Sequence, residues 1–137
     1  MTVTLNPYLN FRDTAKDALA FYQSVLGGEV TTSTFADYQV SDDPAERDKI
    51  MHGMLAAGDL VLMAADTPNA MELTPGTNFS VSLSGSDEDE LHAHWNKLAE
   101  GGIVTLPLEK APWGDSFGMV IDKFGVNWMV NIAGSAS

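Results

Sequence analysis

Three constellations in the sequence hold side chains with chemistry to offer. His52 stands within Met51-His52-Gly53-Met54-Leu55. Imidazole changes charge near neutral pH, so a histidine on a strand can serve as a general acid or base, or anchor a polar ligand group. Its competing role is that of a packed histidine satisfied by a backbone carbonyl. No carboxylate adjoins it in sequence, which leaves Asp66 and Asp115 as the candidates to approach it in space. The second constellation is Pro112-Trp113-Gly114-Asp115. An indole on a turn exposes a large apolar area unless it covers something, either the end of a core or a bound molecule. Asp115 beside it orients the backbone or presents a charge. The third is His92-Ala93-His94. On a helix, residues two apart point roughly 200° from each other, so they cannot chelate one ion and are expected as surface histidines.

Other chemistries are excluded. The chain has no cysteine, hence no disulfide, thiolate nucleophile or Cys-ligated metal. Ser24, Ser80 and Ser82 lack the Gly-x-Ser-x-Gly context of an activated serine, and no phosphate-binding or dinucleotide glycine fingerprint occurs. Nineteen Asp and Glu against seven Lys and Arg give 137 residues a formal charge of −12. That balance repels phosphate backbones and anionic membrane surfaces, so neither nucleic acid nor membrane is an expected partner. No apolar run approaches the roughly 18 residues of a spanning helix. The start, MTVTLNPYLNF, lacks a basic region and an apolar core, so a cytoplasmic protein is expected.

The elements that position these residues follow from periodicity. A helix is predicted over 13–26, with Thr14 as N-cap, Asp17 in a capping-box-like place and Ala18, Phe21, Tyr22, Val25 and Leu26 as its apolar stripe. Gly27-Gly28 stops it. A second helix is predicted over 87–100, capped by Ser86, striped by Leu91, Trp95 and Leu98, and stopped by Gly101-Gly102. Strands are predicted over 5–11 and 78–83, where apolar and polar residues alternate, and over 29–35 and 103–108 after each glycine pair. Residues 50–57 and 60–65 form a hairpin about Gly58-Asp59, and 117–122 with 127–132 form another about Lys123-Phe124-Gly125-Val126. Residues 37–49 read as a loop, and 66–77 as a connection. Met54, Met63, Met119 and Met129 all fall on strands, divided by alternation between the two sheet faces.

Each half therefore reads βαβββ, over about 1–67 and about 76–133 of a single 1–137 domain. The fold class is α+β: two βαβββ modules forming a curved, incomplete β-barrel with helices outside. The negative charge, as at Asp42-Asp43 and Asp87-Glu88-Asp89-Glu90, falls on loops and helix starts and reads as a solubilising surface.

The sequence resembles the vicinal oxygen chelate superfamily of glyoxalases, bleomycin-resistance proteins and extradiol dioxygenases. Three segments carry the resemblance: Asn6–Phe11 with Ala18–Tyr22 and Val25–Glu29; Met51–Leu55 with Leu62–Asp66; and Trp113–Asp115 with Asp122–Met129. They are similar to a branch named after 3-demethylubiquinone methyltransferase. Methyl transfer sits poorly with the sequence, which lacks the glycine-rich strand-to-helix turn of a doubly wound cofactor domain. The superfamily's enzymes hold a divalent ion with His and Glu on inward strand positions. Those positions fall here at Asn6 or Tyr8, at Asn78 and at Met129, none of them a good ligand. No metal and no cofactor is therefore expected.

The resemblance implies a homodimer. It also implies a cleft lined by Asn6, Tyr8, His52, Asn78, Ser80, Trp113, Asp115 and Met129, with His52 the candidate catalytic residue. The leading expectation is metal-free binding of a small apolar or aromatic molecule. The alternatives are a divalent-metal-dependent lyase, isomerase or dioxygenase with displaced ligands, and an acidic interaction domain for a basic partner.

Overall fold

A computed structural model describes residues 3–39 and 43–134. The chain divides between Thr74 and Pro75 into two compact units, each described by itself. The first contains β1 (Tyr8–Phe11), α1 (Ala15–Leu26), β2 (Glu29–Thr34), α2 (Phe35–Tyr38), a 3-10 turn (Pro44–Glu46), β3 (Ile50–Ala57) and β4 (Leu60–Asp66). The second contains β5 (Val81–Gly85), α3 (Glu88–Ala99), β6 (Ile103–Lys110), β7 (Ser116–Ile121) and β8 (Asn127–Ile132). The sheets are ordered β1-β4-β3-β2 and β5-β8-β7-β6, one permutation used twice. In each, the first and last strands are parallel neighbours and the other pairs are antiparallel. The α+β reading and the duplicated βαβββ order hold.

Equivalent rows cross the two sheets. Leu9, Ala64 and Gly53 are register partners in the first; Leu83, Val130 and Gly118 are their counterparts in the second. All six are buried beneath the unit's long helix. A Cβ on Gly53 would overlap Cδ1 of Leu19 on α1. A Cβ on Gly118 would stand 2.7 Å from Cη2 of Trp95 on α3 and 2.8 Å from the Leu108 backbone. Each glycine is thus the seat for one large helix side chain. The helix stripes supply the remaining core: Ala15, Ala18, Leu19, Phe21, Tyr22 and Val25 from α1, and Leu91, Trp95 and Leu98 from α3.

Several expected boundaries shift for identifiable reasons. Thr14 occupies the N-cap of α1 but makes no side-chain cap. The cap comes from across the unit. Buried Asp66, at the end of β4, accepts from the Ala15 amide through Oδ1 (3.0 Å) and from the Ile50 amide through Oδ2 (2.9 Å). In α3 the cap is Asp87, accepting from the Glu90 amide at 3.0 Å, instead of Ser86. Leu5, expected on the buried face with Leu9 and Phe11, is 98% exposed. Pro7 has no amide hydrogen and restricts the residue before it, so β1 begins only at Tyr8. Phe79, expected inward, is 65% exposed. In the parallel register that pairs Val81 with Trp128, residues 78 and 79 run past the end of β8 and find no partner.

The expected strand 29–35 ends at Thr34. Buried Phe35 opens α2, where Thr34 and Asp37 form a capping box: the Asp37 amide donates to Thr34 Oγ1 and the Thr34 amide donates to Asp37 Oδ2. The expected loop 37–49 is thus partly helical, and Asp42 of the acidic pair lies outside the described residues. Its last part is fixed by a cluster around buried Lys49 and Glu46. The Lys49 ammonium meets Asp13 Oδ1 at 2.6 Å, Asn69 Oδ1 at 2.9 Å and Glu46 Oε2 at 3.5 Å. Burial alone lowers the Lys49 pKa, but hydrogen bonding and charge from Asp13 and Glu46 outweigh it and raise the value.

The capping assignment is testable. Asp66→Ala leaves two buried amides unpaired and is expected to cost about 2–4 kcal/mol. Thr14→Ala is expected to cost under about 0.5 kcal/mol. Urea unfolding of both variants checks this, and the reverse order would return the cap to Thr14.

Candidate functional site

With a helix seated on one face of each sheet, the other face is left open. In the first unit the open row Tyr8, Met63, Met54 and Thr31 crosses all four strands. Beside it lie Asn10 and Ala65, paired in register, and His52 with its partner Ser33. Ala65 is small, so Tyr8 on β1 and His52 on β3 reach each other over β4. The Tyr8 hydroxyl stands 3.4 Å from His52 Nδ1, with ring centroids 5.8 Å apart at a tilt of 36°. Both side chains are solvent-accessible. A phenol next to an imidazole can share one proton with a bound polar group, or orient the ring so that Nε2 faces it. Asp66 does not join them. It lies on the helix face with both oxygens engaged.

In the second unit the corresponding row is Ser82, Met129, Met119 and Leu106. The next row is Ser84, Asn131, Phe117 and Glu109. Trp113, on the turn between β6 and β7, is 62% exposed and lies edge-on to Phe117 with centroids 5.8 Å apart. The turn is closed by Ala111, which donates to the Asp115 carbonyl at 2.7 Å. Asp115 carboxylate oxygens accept from Asn131 Nδ2 (3.0 Å) and the Gly134 amide (2.9 Å). The Asn131 hydrogen bond, followed by that of Gly134, holds the Asp115 carboxyl below its ordinary pKa, against a smaller opposing effect of burial. The carboxylate clasps the Trp113 turn to the tail after β8, so it orients backbone and also carries a charge on the open side.

The expected site residues thus fall into two groups. Asn6, Tyr8 and His52 belong to the first unit, and Asn78, Ser80, Trp113, Asp115 and Met129 to the second. Tyr8, His52 and Met129 occupy open-face strand positions. Asn6 precedes β1, where its amide contacts Thr4 Oγ1 at 3.5 Å. Asn78 and Ser80 precede β5, whose open-face positions are Ser82 and Ser84 instead. His92 and His94 lie on α3 beside Glu88 and Glu90, away from both open rows.

Sequence reasoning missed Phe117, Asn131, Glu109 and the sorting of the methionines. Met54, Met63, Met119 and Met129 all take the open face, whereas Met51, also on β3, is exposed at the irregularity in the β2 and β3 register. Met54 pairs with Met63, and Met119 with Met129, at equivalent places in the two sheets. The signal was the hairpin register, since cross-strand partners share a face.

The donor set does not fit the superfamily's divalent ion. The first-strand, fifth-strand and last-strand open positions offer Tyr8, Ser82 and Met129, and His52 is the single imidazole on either open face. Among the described residues no three His, Asp or Glu gather as a metal group.

The sequence profile of the family described as 3-demethylubiquinone-9 3-methyltransferase matches residues 3–131. The chain belongs to that family. Protein YjdN of Escherichia coli K12 is 31% identical, covering 93% of this chain and 94% of its own length. The crystal structure of protein PA1353 from Pseudomonas aeruginosa is 37% identical, covers 98% of this chain and all of its own, and superposes with a TM-score of 0.83. A bleomycin resistance determinant encoded on transposon Tn5, 22% identical over 96% of this chain and 98% of its own, has a TM-score of 0.57 and shares the fold. The chain thus has the fold of the bleomycin-resistance proteins.

Its methyltransferase description does not suit this architecture. Each sheet contains one parallel pair, and the turn from β1 into α1 is Phe11-Arg12-Asp13-Thr14 with no glycine. The Asp66 carboxylate already occupies that helix start, where a phosphate or carboxylate of a cofactor would otherwise sit.

The clasp has a pH signature. The Asp115 pKa is lowered on folding, so its contribution is present above the unfolded value near 3.9 and is lost as pH falls through the folded value. Asp115→Asn is expected to lose less stability than the wild type between about pH 5 and about pH 2.5. Urea midpoints at the two pH values measure it, and parallel losses in both proteins would remove the clasp.

Proposed function

We propose that the protein binds a small, flat apolar or aromatic molecule on its open sheet faces, without a metal ion. One observation carries this reading: Met119, Met129 and Phe117 share the open face of the second sheet, beside a Trp113 that is mostly in solvent. Methionine adapts its shape to an irregular or planar partner, and an exposed indole gains by being covered. The Met54 and Met63 pair repeats the pattern in the first sheet, with Tyr8 and His52 as its polar handle. Apolar walls with a few placed polar groups are the usual composition of a small-molecule site. A homodimer in the cytoplasm is part of the same reading. It rests on the resemblance and on the exposed apolar residues Ile103, Val104 and Leu106 of β6.

Tryptophan fluorescence tests the reading, because Trp95 and Trp128 are buried and Trp113 reports the face. Titration with 2-naphthylmethanol is expected to saturate. Trp113→Ala and Met129→Ser, followed by calorimetry, are each expected to weaken binding about ten-fold, near 1.4 kcal/mol. Absence of saturable binding, or binding indifferent to both variants, overturns it. Sedimentation equilibrium at micromolar protein is expected to give twice the chain mass; a monomer would remove the dimer.

A further inference from the structure

We infer that the second sheet's face selects aromatic molecules carrying a positive charge and rejects anionic ones. The inference rests on the binding reading above and adds the charge of the ligand. Charge follows from the register, face by face. On the first open face the strands place Glu29 and His52 as the titratable groups other than Tyr8, with no Lys or Arg. On the second they place Glu109 opposite Phe117, again with no Lys or Arg. Lys110 pairs with Ser116, one residue along from the Glu109 and Phe117 pair, and so points to the other side. Lys123 sits in the turn joining β7 to β8, at the opposite end of those strands from Trp113, with its ammonium 5.7 Å from the Phe124 ring centroid.

The end of the sheet that holds the aromatics is also the end that holds the carboxylates. Trp113 touches Phe117. Phe117 pairs with both Glu109 and Asn131, and Asn131 donates to Asp115. An aromatic ring stacked there places any cationic substituent over an indole or phenyl face and within the field of two carboxylates. Aromatic faces attract cations through their quadrupole, with indole the strongest. The chain's −12 charge draws the same ligand toward the surface. A phosphate or carboxylate at this place would meet Glu109 and Asp115 with no Lys or Arg among the open-face strand positions of this sheet to answer it.

Three naphthalene probes of one shape separate the terms: (naphthalen-2-ylmethyl)trimethylammonium, 2-naphthylmethanol and 2-naphthylmethylphosphonate, titrated by calorimetry at low salt. The ammonium is expected to bind at least ten-fold tighter than the alcohol, and the phosphonate to give no saturable heat. Glu109→Gln, an exposed position, is expected to reduce ammonium affinity several-fold and to leave the alcohol unchanged, whereas Trp113→Ala weakens both. Equal binding of ammonium and alcohol, or a phosphonate that binds tightest, overturns the charge selection and leaves the aromatic-binding reading standing. Ammonium binding indifferent to Glu109→Gln and Trp113→Ala overturns the selection by this face. Failure of all three probes overturns both readings.

Discussion

The absence of a side chain at Gly53 and Gly118 is the constraint on which the rest depends. Each glycine ends a buried row of three and receives a large helix residue, Leu19 in the first unit and Trp95 in the second. Helices seated that closely cover one face of each sheet. Covering one face fixes the alternation of every strand, because a slip by one residue would exchange the two faces completely. The open rows, and the Met pairs and aromatics they present, follow from where the helices sit.

The two seats are equivalent in backbone and different in filling. The first row is Leu9, Ala64 and Gly53 under Leu19; the second is Leu83, Val130 and Gly118 under Trp95. The ends are secured differently too. Asp66 ties the first helix to β3 through two amides, whereas the second unit uses Asp122 in its hairpin turn. Asp122 accepts there from the amides of Phe124 and Val126 and from Trp128 Nε1. One topology thus tolerates separate solutions for caps and turns, provided the glycine seat is kept.

Periodicity and glycine punctuation made the element order legible, because a helix stripe and an alternating strand are local patterns. The hairpins around Gly58 and Gly125 were legible for the same reason: both glycines adopt positive φ, which other residues resist. The strand starts were not. Leu5 and Phe79 continue the alternation in sequence, but Pro7 and the end of β8 remove their partners, and pairing is not local. The cap of α1 was hidden likewise, since Thr14 has the right chemistry at the right place while Asp66, 51 positions from the Ala15 amide, makes the bond. In the site, Tyr8, His52, Trp113 and Met129 could be picked out by type and strand parity. Phe117 and Glu109 needed the register of β6 on β7, which a bulged strand containing Pro107 does not reveal from sequence.

The duplicated rows also differ in a way that bears on the proposed binding. At equivalent open positions the units keep methionine, Met54 with Met63 and Met119 with Met129, and differ beside it. Tyr8 and His52 in the first unit correspond to Ser82 and Phe117 in the second. An adaptable apolar surface is therefore common to both sheets, while the groups that read polarity are private to each. Methionine contributes area with little directional preference, so it cannot discriminate among ligands of similar shape. Under the binding reading proposed above, discrimination falls to the neighbours: the Tyr8 phenol and His52 imidazole on one face, and aromatic rings edged by Glu109 and Asp115 on the other. On the same reading, substituting the methionines changes affinity, and substituting their neighbours changes which molecule is preferred.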